Sequence, residues 1–439
     1  MRTLPSTRLR AIILPFMILA LAACGGPGAV AERTATPPDA SPSPVVVSPR
    51  PGEPSAAPVD PTPVPPPDTT PAPTGGPVAQ PDPTAVPTPA TWSSAKVLFT
   101  GECGSPNATV DSTGRFHVVA TCGMSLRYAT SADGRSWRTM TFQHPSNRVD
   151  TGPQIAIDGS TLYVAFTRLR PTDGGCGNDG LVDVGVYYRT RQLTSDAWTN
   201  PVRIGNLADH LQSFRVQDGV MHWTFVGHDG RGPISYGRRT GSSFRSVVLP
   251  RALETSLRVG DDGLARIAYS TGDRIRYGTV HADGSLTSKT IFSSNDMVAT
   301  WPNLVLGEDN HAYVTFAAHL DVSGGCAEPD NPVSKPGTYI ATNGSGAWVV
   351  RRLTKDIGPA SLVVDTRTAE VSIALQLDRG IREYTGTPDG MWSGATIRGT
   401  GSTSDAVIRR DPTTGRLLLV ATRWDEDVTG TQVIALVKR

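Results

Sequence analysis

A single unit, repeated seven times after residue 92, sets the limits on what this 439-residue chain can fold into. A repeat of fixed period folds as copies of one supersecondary motif that bury their apolar faces against each other. Each unit opens with a short apolar strand and a tight turn containing Asp and usually Gly. A second strand of alternating or continuous apolar residues follows. The turns begin at Asp111, Asp158, Asp218, Asp261, Glu308, Asp365 and Asp411. Asp158-Gly159-Ser160-Thr161-Leu162-Tyr163-Val164-Ala165-Phe166 shows the pattern, as does Asp261-Asp262-Gly263-Leu264-Ala265-Arg266-Ile267-Ala268-Tyr269. Turn residues between apolar runs are the hairpin signal.

The second half of the unit repeats as well. A third strand carries Tyr128, Tyr188, Tyr236, Tyr277, Tyr339 or Tyr384, and a large apolar residue then opens a fourth: Trp137, Trp198, Phe244, Leu286, Trp348 or Trp392. Six aromatic positions in register read as core between blades rather than as ligand-stacking sites. Four strands per unit, a period of about 45 to 60 residues and no helical pattern define an all-β fold, a β-propeller. The count is seven four-stranded antiparallel blades, with six blades plus a stray hairpin as the alternative. The seventh unit, starting near Gly401, supplies three strands before Arg439. The missing outer strand is available at Ala95–Thr100, and pairing it with the last strand closes the ring.

The N-terminus fixes the compartment. Arg2, Arg8 and Arg10 precede an apolar run from Ala11 to Ala23 that is too short to span a bilayer. It ends in Leu21-Ala22-Ala23-Cys24-Gly25, which resembles the lipobox of bacterial lipoproteins. The resemblance implies a signal peptide over 1–23, cleavage before Cys24 and a lipid on Cys24, hence a permanent membrane anchor at the bacterial cell envelope. Residues 24–92 are dominated by Pro, Ala, Thr and Ser without apolar periodicity. Such a segment is expected to stay a disordered linker of polyproline II character. The propeller is then 93–439, facing the extracytoplasmic side.

Charge is nearly balanced, at a formal net +1, and no basic stripe stands out, so nucleic acid is not an expected partner. A monomer is expected. Besides Cys24 there are Cys103, Cys122, Cys176 and Cys326, an even number in an exported domain, which suggests two disulfides. Cys103 and Cys122 flank the first two strands of unit one, a local bridge. Gly174-Gly175-Cys176 and Gly324-Gly325-Cys326 lie in two expanded loops, about Thr167–Gly185 and about Ala318–Gly337, and are expected to meet above the channel as Cys176–Cys326. No cofactor motif is present. The cysteines fit no zinc spacing and there is no EF-hand-like run, so no metal site is assigned, although scattered loop carboxylates leave calcium open.

Ser131-Ala132-Asp133-Gly134-Arg135-Ser136-Trp137 resembles the Asp-box of sialidase-type propellers, a Ser-x-Asp-x-Gly-x-x-Trp turn, but is one residue shorter. In that superfamily the turn joins the third and fourth strands and lies opposite the active site, so the resemblance implies architecture rather than activity. The superfamily's catalytic signatures are not matched. There is no Arg-Ile-Pro, and no set of arginines maps residue by residue onto its arginine triad.

Ligand sites in propellers gather where second strands end and first strands begin, because these loops vary on a rigid frame. The candidates for ligand binding there are Arg168, His228, Trp301, His319, Arg379, Arg423 and Trp424. Asp229, Asp150, His210, Glu254 and Asp405 share the same loops. Three functions fit. The first is a binding or recognition module for glycan or protein. The second is a glycoside hydrolase or lyase on a sialidase-like scaffold, exo-acting, with Asp321, Asp378 and Asp425 as candidate acids. The third is an assembly scaffold for envelope proteins. The missing signatures, the long linker and the enlarged face favour the first, and the sequence leaves catalysis undecided.

Overall fold

The computed structural model describes residues 91–171, 181–205, 209–227, 232–320, 335–424 and 430–439. The N-terminal segment with Cys24, the cysteines Cys176 and Cys326, and the loop candidates His228, Asp229, Asp321 and Asp425 lie outside the described residues.

Seven four-stranded antiparallel sheets form the ring. An opening strand, β1 (Lys96–Thr100), precedes blade I, which comprises β2 (Cys103–Val110), β3 (Phe116–Cys122), β4 (Ser125–Ser131) and β5 (Arg138–Thr141). Blade II is β6 (Val149–Asp158), β7 (Thr161–Pro171), β8 (Leu181–Gln192) and β9 (Val202–Ile204). Blade III is β10 (His210–Gln217), β11 (Val220–Val226), β12 (Ile234–Thr240) and β13 (Ser243–Val248). Blade IV is β14 (Glu254–Val259), β15 (Ala265–Ser270), β16 (Arg274–Val280) and β17 (Leu286–Ser293). Blade V is β18 (Met297–Leu306), β19 (Ala312–Leu320), β20 (Gly337–Thr342) and β21 (Val349–Thr354). Blade VI is β22 (Ala360–Asp365), β23 (Glu370–Leu377), β24 (Gly380–Gly386) and β25 (Trp392–Ile397). Blade VII is β26 (Thr403–Arg410), β27 (Leu417–Trp424) and β28 (Thr431–Lys438), with β1 as its fourth strand.

The expected closure is therefore present, and it excludes the six-blade alternative. β1 pairs antiparallel with β28, from Lys96 opposite Ala435 to Thr100 opposite Gln432. The ring begins slightly before the linker boundary read from composition: Trp92 bridges Lys438 and donates its indole N–H to Glu383 at 2.9 Å. Each first strand contacts the first strands of both neighbouring blades, so these seven strands line a central channel.

The apolar interior is divided into seven clusters, one for each seam between adjacent blades. The repeated aromatics fill these wedges, as their register predicts. Tyr128 and Trp198 meet edge to face at 5.3 Å across blades I and II, and Tyr277 and Trp348 lie 5.0 Å apart across blades IV and V. The Ser131–Trp137 turn joins β4 to β5. Asp133 Oδ1 accepts the backbone N–H groups of Arg135 and Ser136 at 2.8 Å each, and the Trp137 indole donates to the Gly134 carbonyl at 3.2 Å. Gly134 is left-handed at φ 70°, and a Cβ there would meet Val437 of the closing strand.

First strands have one sheet partner only, so their channel-side edges carry unpaired backbone groups. Side chains from the preceding blade answer part of this need. Ser213 Oγ accepts the N–H of Leu257, Ser256 Oγ that of Leu304, and Ser361 Oγ that of Ile408, at 3.4, 3.0 and 3.2 Å. The same position carries Asn107 in blade I, whose amide donates to Gln154 of blade II at 2.9 Å.

Two buried histidines extend this polar order into the blades. His117 Nδ1 lies 2.6 Å from the Tyr128 hydroxyl and Nε2 lies 3.1 Å from Asp111. His222 Nδ1 lies 2.7 Å from the Tyr236 hydroxyl. Burial holds both imidazoles down at about 4 and therefore neutral at pH 7. A carboxylate accepts only, so His117 donates from Nε2 to Asp111 and receives the tyrosine proton at Nδ1.

Two predictions follow from this packing. Phe99 of β1 is buried against the blade VII–blade I seam, and Phe99→Ala is expected to cost about 3–5 kcal/mol in chemical denaturation, because it empties a buried aromatic site at the ring closure. The histidines set a pH window. Their unfolded value is 6.5, so between about 6.5 and 4 the unfolded chain binds more protons than the folded one, and stability falls as pH falls. Melting temperature should drop across that window, and His117→Gln with His222→Gln should flatten the slope. A flat wild-type profile would contradict the neutral assignment.

Candidate ligand-binding face

The starts of first strands and the ends of second strands lie on one face, and the Cys103–Cys122 disulfide ties the two together in blade I. The first expanded loop proves shorter than the sequence suggests. Its flanks continue the blade II hairpin, with Arg168 opposite Gly185 and Pro171 opposite Leu181, so only its tip lies outside β7 and β8. The reason is composition: Leu181, Val182, Val184 and Val186 keep strand character beyond the point where the other blades turn.

Arg168 sits at the base of this extension. It donates from Nε and Nη2 to both oxygens of Asp150, at 2.7 and 2.8 Å, and both side chains are buried. Its guanidinium also covers the Tyr187 ring at 4.7 Å. Two bonds and a stacked face commit it to holding β6 against β7 and β8. In the neighbouring seam His210 contacts Asp183 at 3.0 Å.

A different arrangement occupies the seam of blades IV and V. Trp301 stands at a β-bulge between Thr300 and Asn303 and is left-handed, with φ 53°. A bulky residue reaches that region only at a cost of about 1–3 kcal/mol. The bulge itself recurs in other blades, where the left-handed residue is Ser105, Gly152 or Asp405. Ser105, Gly152 and Trp301 are each followed by proline, which the bulge tolerates because the channel edge needs no ladder N–H there. Two of the bulges are held by carboxylates from the preceding blade. Glu254 accepts the Trp301 N–H, as Asp405 accepts the Ser105 N–H at 3.3 Å. The Trp301 ring lies 6.4 Å from that of His319, and both side chains are half-buried. Burial raises the Glu254 carboxyl above its usual range, opposed by the Trp301 N–H and the nearby His319.

The remaining candidates are spread around the rim. Arg379 and Asp378 form the exposed tip of the β23–β24 hairpin. Arg423 donates to Gln432 at 2.8 Å within blade VII. Trp424, at the end of β27, is 48% exposed, which leaves an indole face open. Of the expected set, Trp301 and His319 meet, and Glu254 joins them.

The first strands line a cavity of about 330 Å³ in the channel. Arg215, Arg258 and Arg409 project into it from β10, β14 and β26. Their functional interest is invisible in sequence until the register is known. Each then proves to follow a fully buried apolar residue, Phe214, Leu257 or Ile408, at one equivalent position of three first strands.

No family model matches the chain, and no curated protein matches it. Among solved structures, the hydrazine synthase of Kuenenia stuttgartiensis superposes with a TM-score of 0.52 at 12% identity, over 76% of this chain and 96% of that one. An ulvan lyase of polysaccharide lyase family PL25 gives 0.50 at 10% identity, over 77% of this chain and 94% of that one. The Trypanosoma rangeli sialidase gives 0.42 at 11% identity, over 77% of this chain and 55% of its own length, so this chain spans about half of it. At 10–12% identity, the likeness to the hydrazine synthase and the lyase establishes the propeller fold alone.

Proposed function

We propose that this propeller is a recognition module of the bacterial cell envelope, anchored by lipid on Cys24 and binding a glycan at its loop face. The observation that carries the reading is the Glu254–Trp301–His319 seam. A tryptophan held in a strained backbone conformation by a half-buried carboxyl group lies 6.4 Å from the ring of a histidine, tilted 38° to it, on the loop face. Strain of this kind persists where surrounding structure over-determines it, and it clusters at binding sites. An aromatic plane with a few convergent polar groups is the chemistry that sugar rings engage. The exposed Trp424 and Arg379 supply further contacts on the rim, and the hydrogen bonds of the Ser131–Trp137 turn support reading it as a structural Asp-box.

Exo-acting glycoside hydrolysis is the second reading. It needs two carboxyl groups about 5–10 Å apart. Glu254 has the raised affinity for a proton that a general acid requires, and among the described residues the charged neighbour it feels is His319 rather than a second carboxylate. That favours recognition over cleavage.

The full chain in detergent, screened on a glycan array with product analysis of every hit, tests the reading. Binding without turnover is expected, with Trp301→Ala weakening it at least tenfold, roughly the scale of a buried aromatic anchor. Cleavage would replace recognition by hydrolysis, and silence across the array would move the ligand to a protein surface. The anchor is tested separately. Cys24→Ser should abolish labelling by radioactive palmitate and release the protein from the membrane fraction, and membrane retention of the unlabelled variant would reject the lipid.

A further inference from the structure

The channel arginines pose a problem of charge. At one level of the channel, blades I, II, V and VI present Thr109, Ala156, Val305 and Val363, while blades III, IV and VII present Arg215, Arg258 and Arg409. All three guanidinium groups adopt the same posture, each donating from Nη1 to the carbonyl of its own preceding residue: Phe214, Leu257 at 2.8 Å and Ile408 at 2.8 Å. Arg409 is held further, by the Ala108 carbonyl at 2.6 Å and Asn107 Oδ1 at 3.3 Å. Neutral carbonyl and amide oxygens are thus their partners, and no carboxylate pairs with any of the three among the described residues. The nearest arginine of the same strand, Arg410, is by contrast occupied by Asp365 and Glu370.

Like charges sharing a low-dielectric lumen repel. Burial is the largest cause of the lowered proton affinity of all three, down to about 9 for Arg215 and about 10 for Arg409. Arg258, lowered well below its usual range, also feels both of the others. Arginine keeps its proton in proteins, so deprotonation does not relieve the repulsion. Each side chain remains partly open to the lumen. A guanidinium has five donors in a fork that matches oxyanion geometry, and Arg215 and Arg258, on adjacent blades, each spend one on a carbonyl.

We propose that the channel is an anion-binding site in which Arg215, Arg258 and Arg409 together hold one small multivalent oxyanion, of the phosphate, sulfate or polycarboxylate class. The cavity of about 330 Å³ lies at the small end of ligand-pocket volumes, which suits an ion with part of its hydration and not a sugar chain. The site lies below the loop face and does not depend on what binds there. Arg258 lines both the channel cavity and a second opening that Asp261, Glu308 and Arg367 also line.

Titration calorimetry on the full chain in detergent, at constant ionic strength with chloride replaced by inorganic phosphate, sulfate or citrate, decides the matter. The expected result is a saturable one-to-one heat with at least one of the three, and the tightest identifies tetrahedral oxyanion or polycarboxylate. Arg215→Met and Arg258→Met should each weaken it at least about tenfold. The same variants should melt higher than wild type in chloride alone, because a repulsive charge is gone, and lose the anion-dependent rise in melting temperature. Arg258→Lys, which keeps the charge, should retain weakened binding. Trp301→Ala should leave the heat unchanged, which separates this site from the loop face. The absence of a saturable heat with all three anions, or an equal anion-dependent rise in wild type and both methionine variants, would overturn the site and leave the arginines as braces for the inner strands.

Discussion

Every blade of this propeller has two apolar faces, and neither is buried until a neighbour stands on each side. That condition cannot be met by adding blades in a row, so the whole interior depends on the contact between β1 and β28. The seam it completes unites Leu98 and Phe99 with Phe116 and Val118 of blade I and Val433 and Val437 of the closing strand. Without it, one cluster loses Leu98 and Phe99, a second loses the cover of Trp92, Ala95 and Val97, and the outer edge of blade VII lies open to pairing with another chain. The entropic cost of joining strands more than 300 residues apart grows only slowly with loop length, so closure is cheap relative to the two apolar faces it buries.

Closure leaves one edge unsolved, since the seven first strands have no partner toward the channel. The hydroxyls of Ser213, Ser256 and Ser361 answer three of these edges from the preceding blade. The curled side chains of Arg215, Arg258 and Arg409 answer three carbonyls from within their own strands. On β10 and β14 the two devices sit two residues apart, Ser213 with Arg215 and Ser256 with Arg258, so much of the polar lining of the channel serves backbone hydrogen bonding. Binding chemistry then comes with it: a guanidinium that satisfies one carbonyl still carries its charge and its remaining donors into the lumen.

The architecture was legible because its signals are local and repeated. Asp-containing turns, alternating strands and a tyrosine followed by a large apolar residue all report a period, and Tyr128, Tyr236, Tyr277 and Tyr384 are buried where that period puts them. The closing strand was legible as a surplus at one end matching a deficit at the other. Site geometry was not, because it is set by pairs distant in sequence. Arg168 looks like an open loop cation until Asp150 is seen opposite it, and nothing near Trp301 announces that Glu254, 47 residues earlier, takes its N–H. The channel arginines were missed for a related reason. A charged residue inside a first strand reads as solvent-facing unless the strand is known to border a lumen.

The bulge that carries Trp301 shows how the frame and the site divide their tasks. Four blades make the same left-handed step near the channel mouth, and three of them use the residue types that step would favour or tolerate: Gly152, Asp405 and the small Ser105. In these blades the conformation serves the frame, turning the first strand from the loop face into the channel. Blade V makes the identical step with tryptophan, a bulky residue for which that region is an outlier. The frame does not need that side chain, since a serine meets the same geometry in blade I. The neighbouring Glu254 carboxyl gives up solvation to hold it, and is shifted by burial as a result. Two local penalties, one in backbone conformation and one in desolvation, are concentrated at a single half-exposed indole on the face where the other blades economise. Glycine would adopt the same step without the backbone penalty and would still donate its N–H to Glu254, so the strain at Trp301 is the feature on which the proposed binding role of this face rests.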